Sequence, residues 1–286
     1  EVIEIYRHQS ISRDGKMGQL VEYVNAFIQE LILGMRIFLK DPFILIHAAN
    51  PPDHIFLLSL LFRPFGVKFI FDHHDLASEL YLCKYRNKKN VLYYLLSLME
   101  KLSCKLSDVI ISTNESYRQH VVQKHHVKAE KIFIVRNDPE IPSSNGYHEK
   151  KLVPKEPSTI KLLYLGAINF QDGVDRLVKI ISILVNEFNQ KSIKCTVIGG
   201  GGDLLRVKMI SKELGMDPYI DFLGMIRDRA LIVNHIRNSD ICLEPAPFNG
   251  ANNQSTFIKV MEYMCEGKPI VAFDLVETRF STGGNA

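Results

Sequence analysis

Residues 161–188 read KLLYLGAINFQDGVDRLVKIISILVNEF. The run from Lys161 to Gly166 is short, apolar and closed by glycine, as a buried strand would be. After it Val174, Leu177, Val178, Ile181, Leu184, Val185 and Phe188 recur at the i, i+3, i+4, i+7 spacing of a helix with one apolar stripe. A buried strand followed by a one-faced helix is the βα unit of a parallel sheet. Towards the C-terminus the rhythm repeats. Strands are predicted at Cys195–Ile198, Ile220–Leu223, Ile241–Leu243 and Ile270–Phe273, alternating with helices at Leu204–Leu214, Arg229–Arg237 and Thr256–Cys265. Towards the N-terminus strands are predicted at Phe43–Ala48, Lys68–Asp72, Val109–Ser112 and Ile132–Val135, with helices at Asp53–Leu61, Val91–Leu106 and Ser116–Lys124. Between the halves, Pro139, Pro142, Pro154 and Pro157 stand among Ser and Lys with almost no apolar periodicity. The boundary therefore falls there: a first domain over 1–140, a linker over 141–158 and a second domain over 159–286. The fold class is α/β, two Rossmann-like domains facing each other across a cleft, both incomplete.

Composition narrows the class. The chain has 286 residues, 46% of them hydrophobic and 23% charged, with 17 Gly and 12 Pro, which excludes collagen-like and mostly disordered chains. Thirty-five Lys and Arg against 32 Asp and Glu leave a net charge of +3, too little to argue for nucleic acid. The five cysteines are widely spaced with no CxxC pair, which points to a reducing, cytoplasmic setting. No metal-ligand cluster is expected from the spacing of Cys and His, although eight of the ten histidines precede the linker. The longest apolar run, Ile55 to Phe62, is far short of the ~20 residues that cross a bilayer. A chain that begins at Glu1 and ends in an unfinished loop, 281–286, reads as a fragment lacking its first strands and closing helices.

Open α/β sheets bind ligands beyond the carboxyl ends of their strands, so those loops hold the candidate site residues. After Lys68–Asp72 come His73, His74 and Asp75. An imidazole exchanges protons near neutral pH and a neighbouring carboxylate fixes its tautomer, so His74 with Asp75 suits recognition of sugar hydroxyls or proton transfer. The stretch HAANPPD at 47–53 reads mainly as loop geometry, and Ser112 to Glu115 as a helix cap. Lys84, Arg86, Lys88 and Lys89 precede an apolar helix carrying Tyr93 and Tyr94. That pairing fits an anionic membrane surface, a peripheral contact weighed against a solvated loop before a buried helix.

In the second half, Gly199 to Gly202 end a strand and open a helix, where backbone N–H groups can hold an anion; the alternative is that the glycines only allow a tight turn. The segment STFIKVMEYMCEG, 255–267, is more informative. At about 100° per residue, Ser255, Lys259, Glu262 and Glu266 share one arc while Phe257, Val260, Met261 and Met264 take the other. Ser255 or Thr256 would cap the helix. A lysine in the first turn opposes the helix dipole by ~0.3–1 kcal/mol unless an anion binds there. Lys259 therefore suits a diphosphate and Glu262 a ribose, against the alternative of a solvated ion pair.

These residues resemble glycosyltransferase family 4, retaining enzymes of GT-B fold. The likeness is carried by KVMEYMCEGKPIVAF (259–273), YLGAINFQDGVD (164–175), VIGGGGDLL (197–205), SDICLEP (239–245), FDHHDLASE (71–79) and VRN (135–137), and by the order in which these segments follow one another along the chain. The resemblance implies that the second domain binds a nucleotide-sugar donor, UDP-linked, through Gly166, Gly199, Gly200, Glu244, Gln254, Ser255, Thr256, Lys259 and Glu262. It implies that the first domain takes a saccharide or lipid-linked acceptor, with His74 and Asp75 catalytic. Glu262 matches the second glutamate of the family's EX7E motif and His74 the first-domain histidine near the donor sugar. Gln254 stands in place of the first glutamate, and Ala167 and Asp172 where many members place an Arg and a Lys against the diphosphate. The branch it looks most like builds bacterial surface polysaccharides. The resemblance implies no cofactor, and metal-independent transfer with retention at the anomeric carbon. A nucleotide-sugar 2-epimerase shares the architecture, and a non-catalytic nucleotide-sugar-binding subunit is the third reading.

Overall fold

A computed structural model of the chain describes residues 3–6, 16–85, 88–139 and 159–284, with backbone alone at 16–20 and 23. The expected linker, 141–158, and Arg86 lie outside the described residues. The chain divides into two compact units, one of Glu1–Tyr81 with Lys88–Arg136, the other of Leu82–Asn87 with Asn137–Ala286.

Among the described residues the first unit holds a four-stranded parallel sheet in the order β1 (Leu45–Ala49), β2 (Lys68–His73), β3 (Val109–Ser112), β4 (Ile132–Ile134). The helices are α1 (Lys16–Lys40), α2 (Phe56–Phe62), α3 (Ala77–Lys84), of which Leu82–Lys84 count with the second unit, α4 (Val91–Leu106) and α5 (Glu115–His125). The expected α4 matches to the residue, because Asn90 caps it by accepting the Tyr93 amide at 3.2 Å and Ser107 ends it in extended backbone. Asn114 likewise caps α5, accepting the Tyr117 amide at 2.8 Å, which is the helix-cap reading of this loop. The strand–helix alternation read from sequence does not include α1 or α3. Expected strand residues Phe43 and Ile44 precede β1, and Ile44 is exposed. Phe69, Phe71, Ile110 and Ile132 close the core under α4 and α5, with Cys104 and Val121 facing them.

The second unit's sheet is five-stranded and parallel, in the order β7 (Ile220–Gly224), β6 (Ile193–Ile198), β5 (Ile160–Leu165), β8 (Ile241–Glu244), β9 (Ile270–Ala272). Its helices are α6 (Val174–Asn186), α7 (Leu204–Glu213), α8 (Arg229–Asn238), α9 (Ile258–Cys265) and α10 (Val276–Ser281). The sheet starts at its centre and grows to both sides, the doubly wound arrangement whose ligand loops follow the strand ends. On α6 the expected stripe is buried at Val174, Leu177, Val178, Ile181 and Val185, each worth ~1.5–3 kcal/mol of transfer free energy. Phe188 departs from it. The helix stops at Asn186, the chain turns through Asn189 at φ 52°, and Phe188 is left exposed. No helix among the described residues is long and apolar enough to cross a membrane.

Candidate functional site

Each unit gathers its candidate residues at the carboxyl ends of its central strands. In the first unit β2 delivers Asp72, His73 and then His74. His74 Nε2 pairs with Asp72 Oδ1 at 3.0 Å, and His47 Nε2, from β1, approaches Asp72 Oδ2 at 3.1 Å. The carboxylate that orients His74 is thus Asp72, two residues earlier, in place of the expected Asp75. Alternate residues of a strand share a face near the strand end, so position 72 lies within reach where position 75, already in the turn, does not. With Nε2 engaged by Asp72, Nδ1 is the nitrogen left to accept a proton in the neutral ring. Burial pushes the Asp75 carboxyl above its ordinary range, with His74 acting in the opposite direction.

The loop at 47–53 does more than turn the chain. Asn50 Oδ1 accepts the amides of His74 and Asp75 at 2.7 and 3.1 Å, while its Nδ2 donates to the Asp75 carbonyl and to Asp53 Oδ1 at 2.7 and 2.8 Å. One buried amide therefore fixes the backbone that carries His74. Sequence reading missed Asn50, His47 and Asp72; the signal was their shared position at the ends of neighbouring strands, paired Ala49 to Asp72.

Behind this loop, Glu100 of α4 meets His120 and His125 of α5 in a group with the spacing to hold a metal ion. The expectation of no metal-ligand cluster is corrected here. His120 and His125 stand at H-x4-H spacing, and the glutamate comes from a different helix, so only the fold assembles the set.

In the second unit the arc Lys259, Glu262 and Glu266 is real, but none of the three is solvated. Lys259 Nζ lies 2.8 Å from Glu244 Oε2, Arg229 Nη1 donates to Glu262 Oε1 at 2.6 Å, and Arg237 Nε to Glu266 Oε2 at 2.6 Å. The side chains of Lys259, Glu262 and Glu266 are 11%, 13% and 9% exposed. The apolar arc is also redrawn. Val260 is buried as expected and Met264 is exposed, while Tyr263 is the fully buried member, its hydroxyl accepting the Leu165 amide at 2.8 Å.

Lys259 is the centre of this site. Its ammonium sits 4.6 Å above the ring of Tyr164 and 3.3 Å from that residue's hydroxyl, which in turn donates to the Ala167 carbonyl. Burial opposes its charge, but the Glu244 carboxylate more than offsets this and holds the ammonium protonated above the usual lysine range. Glu244 is fully buried, accepting the Ala246 amide at 3.0 Å with its other oxygen on Lys259. Gly166 makes this possible: at φ 145° a Cβ there would stand 2.8 Å from Lys259 Cε. At Gly199, φ 140°, a Cβ would lie 1.8 Å from the Gly166 carbonyl oxygen, so the two glycine turns stack directly on each other.

The anion cradle expected over Gly199–Gly202 is largely spent internally. The Gly199 amide donates to the Gly224 carbonyl, Gly202 to Asn169 Oδ1, and Asp203 to the Ile168 carbonyl. Gly200 keeps ordinary backbone and room beside it. Ser255 and Thr256 do not cap α9, which starts after Phe257 with no side-chain cap. A short 3-10 turn over Asn252–Gln254 intervenes; Ser255 Oγ turns back to the Ala251 carbonyl, Thr256 Oγ1 points to Glu277, and Gln254 Nε2 donates to the Gly250 carbonyl. Asp172, where the resemblance expects a cation, caps the turn after β5 by accepting the Asn169 amide, and burial pushes its carboxyl up.

Residues 16–137 match the family described as Glycosyltransferase Family 4, and residues 159–284 the one described as Glycosyl transferases group 1. The chain belongs to the family 4, group 1 glycosyltransferases. A relative, the uncharacterized glycosyltransferase MJ1069 of Methanocaldococcus jannaschii, is 26% identical over 187 residues, 65% of this chain and 45% of its own. The family 4 chain described here thus spans about half the length of that relative. Among solved structures, sucrose-phosphate synthase of Thermosynechococcus elongatus superposes with a TM-score of 0.67 at 15% identity, over 92% of this chain and 62% of the other. HepE of Anabaena, in complex with UDP and glucose, gives 0.63 at 14% identity, over 93% and 66%. Both place the family 4 chain in the GT-B fold class.

On the first unit's surface, Val91, Leu92, Tyr94, Leu95 and Leu98 of α4 are exposed, so the helix expected to be buried presents an apolar side. The Lys89 ammonium stands 5.7 Å over the Tyr93 ring beside it.

Proposed function

We propose that the second unit binds a nucleotide-sugar donor, UDP-linked, and that the first takes a saccharide or lipid-linked saccharide of surface polysaccharide synthesis, so that the protein transfers a glycosyl group. The observation that carries this reading is the buried Lys259 ammonium at the carboxyl end of β5. The chain lacks the usual cations at Ala167 and Asp172, and Lys259 reaches the same turn from α9, close beside Gly166. Glu262, oriented by Arg229, serves the ribose.

In the reaction proposed, the bond from the anomeric carbon to the donor diphosphate breaks and one to the acceptor oxygen forms with retention. The acceptor's proton leaves with the diphosphate. Negative charge grows on that leaving group, and a cation already desolvated and positioned stabilises it without reorganising. The Asp72–His74 pair supplies hydrogen bonds to sugar hydroxyls. Binding of UDP and glucose by HepE supports the donor class.

Calorimetric titration with uridine, UMP and UDP tests the site. Glu262→Ala is expected to weaken all three by ~1.5–3 kcal/mol. Lys259→Met combined with Glu244→Gln, which keeps the buried charge balanced, is expected to weaken UDP far more than uridine. Equal affinities throughout would overturn the reading. Conversion of UDP-N-acetylglucosamine to its 2-epimer with no acceptor present would replace transfer by epimerisation. The exposed side of α4 favours a peripheral contact with anionic lipid, tested by sedimentation with phosphatidylglycerol vesicles; loss of binding in Leu95→Glu is the expected result.

A further inference from the structure

The first unit buries more nitrogen around Glu100 than one carboxylate can satisfy. The Glu100 side chain has no exposure. His120 Nε2 lies 3.0 Å and His125 Nε2 3.2 Å from Glu100 Oε1, and His73 Nε2, at the end of β2, lies 3.6 Å from the same oxygen. A carboxylate oxygen offers about two lone pairs, so three ring nitrogens cannot all be served by it. His125 Nε2 and both ring nitrogens of His73 are buried without a hydrogen-bond partner. Buried polar atoms are rarely left so, and each such exception asks for an explanation.

The spacing supplies one. An ion bound tetrahedrally through N and O at ~2.0–2.1 Å sets its ligand atoms ~3.3–3.4 Å apart. The 3.0 and 3.2 Å separations at Glu100 come close to that edge, and the ligand atoms of Glu100, His120 and His125 all lie within 4.8 Å of one another. The remaining groups are arranged to leave Oε1 available. Ser78 Oγ donates to Oε2 at 2.9 Å, and the Lys124 ammonium, 3.8 Å from Oε2, is turned to Ser78 and to Glu79 Oε1 at 3.0 Å. Glu79 thereby balances the Lys124 ammonium, a cation that would otherwise repel a metal.

We propose that Glu100, His120 and His125 bind a divalent transition ion of the zinc class, with His73 as the nearest candidate for a fourth ligand. Two imidazoles and a carboxylate are a donor set that zinc takes readily. The ion would tie α4 to α5 and to the end of β2, one residue before His74. Its role is to hold that strand end in place, and it depends on nothing proposed for the second unit.

The test uses the full chain, stripped with a chelator and titrated with Co2+, whose visible absorption reports coordination. The expected result is one-to-one binding with an intense tetrahedral spectrum, displaced by one equivalent of Zn2+, and a Tm that rises with added Zn2+. His120→Ala, the least buried ligand, is expected to lower Co2+ affinity by about 100-fold or more while His235→Ala, in the second unit, leaves it unchanged. A weak octahedral spectrum, binding that survives His120→Ala, or no one-to-one binding by the native chain overturns the proposal; the last needs no variant to fold.

Discussion

The two strand-end sites are built from the same parts and held in opposite ways. In the first unit the paired groups are histidines and a carboxylate near the surface, His74 35% exposed on Asp72 at 16%. In the second, Lys259 and Glu244 face each other at 11% and 0%. A histidine–carboxylate pair open to water is screened by solvent and can give up its partner for another hydrogen-bonding group at little cost. A buried lysine–carboxylate pair can hold a charge in place and cannot readily lose either member. On the function proposed above, the contrast suits recognition of sugar hydroxyls in the first unit and anion binding in the second.

The contrast breaks most visibly if charge is removed from the buried pair. Lys259→Met strands Glu244 in the core and is expected to cost ~3–5 kcal/mol in urea unfolding, most of it restored by adding Glu244→Gln. A loss below about 1 kcal/mol would show that the second site is as solvated as the first.

Next in size is Asn50→Ala, which leaves the amides of His74 and Asp75 without their acceptor and is expected to cost ~2–3 kcal/mol by the same measurement. A hydrogen-exchange comparison should show that loop opening first.

A third test is the pH profile. Burial raises the Asp53 carboxyl from 3.8 to about 7, with the Asn50 hydrogen bond acting against the shift. The folded state then binds this proton more tightly than the unfolded chain. Its contribution is most favourable at low pH and is lost as pH rises through about 7, on the order of 2 kcal/mol between pH 5 and pH 8. Asp53→Asn should flatten that slope, and a slope that persists would assign it elsewhere.

The smallest expected change in stability, within about 0.5 kcal/mol, is for His74→Ala, because its pair with Asp72 is partly exposed. Turnover is where this substitution should act, by ~10²-fold or more. A fall in Tm with specific activity intact would reverse that, and with it the division between the two sites.

Much of the fold was legible because parallel sheets buried on both faces leave nearly continuous apolar strands between amphipathic helices. The helix of 91–106 follows from its own Asn90 and Ser107, and the α6 stripe from its period alone. Phe188 and Met264 were misjudged because periodicity runs on where a helix stops or where no neighbour covers it. The α1 and α3 helices do not fit a strand-helix alternation and so escaped it.

The sites were legible by residue type and not by partner. Lys259 and Glu262 share an arc because helical geometry is local and sequence records it. That Lys259 meets Glu244 and Tyr164, that Glu262 meets Arg229, and that His74 meets Asp72 are properties of strand order and of helices laid beside strands. Glu100, His120 and His125 converge from two helices for the same reason. Sequence alone determined the class of fold and the family, since these rest on patterns a few residues long. Only the tertiary structure decided which charges are buried and what balances them, because desolvation and Coulomb attraction depend on distances across the fold that no local spacing encodes.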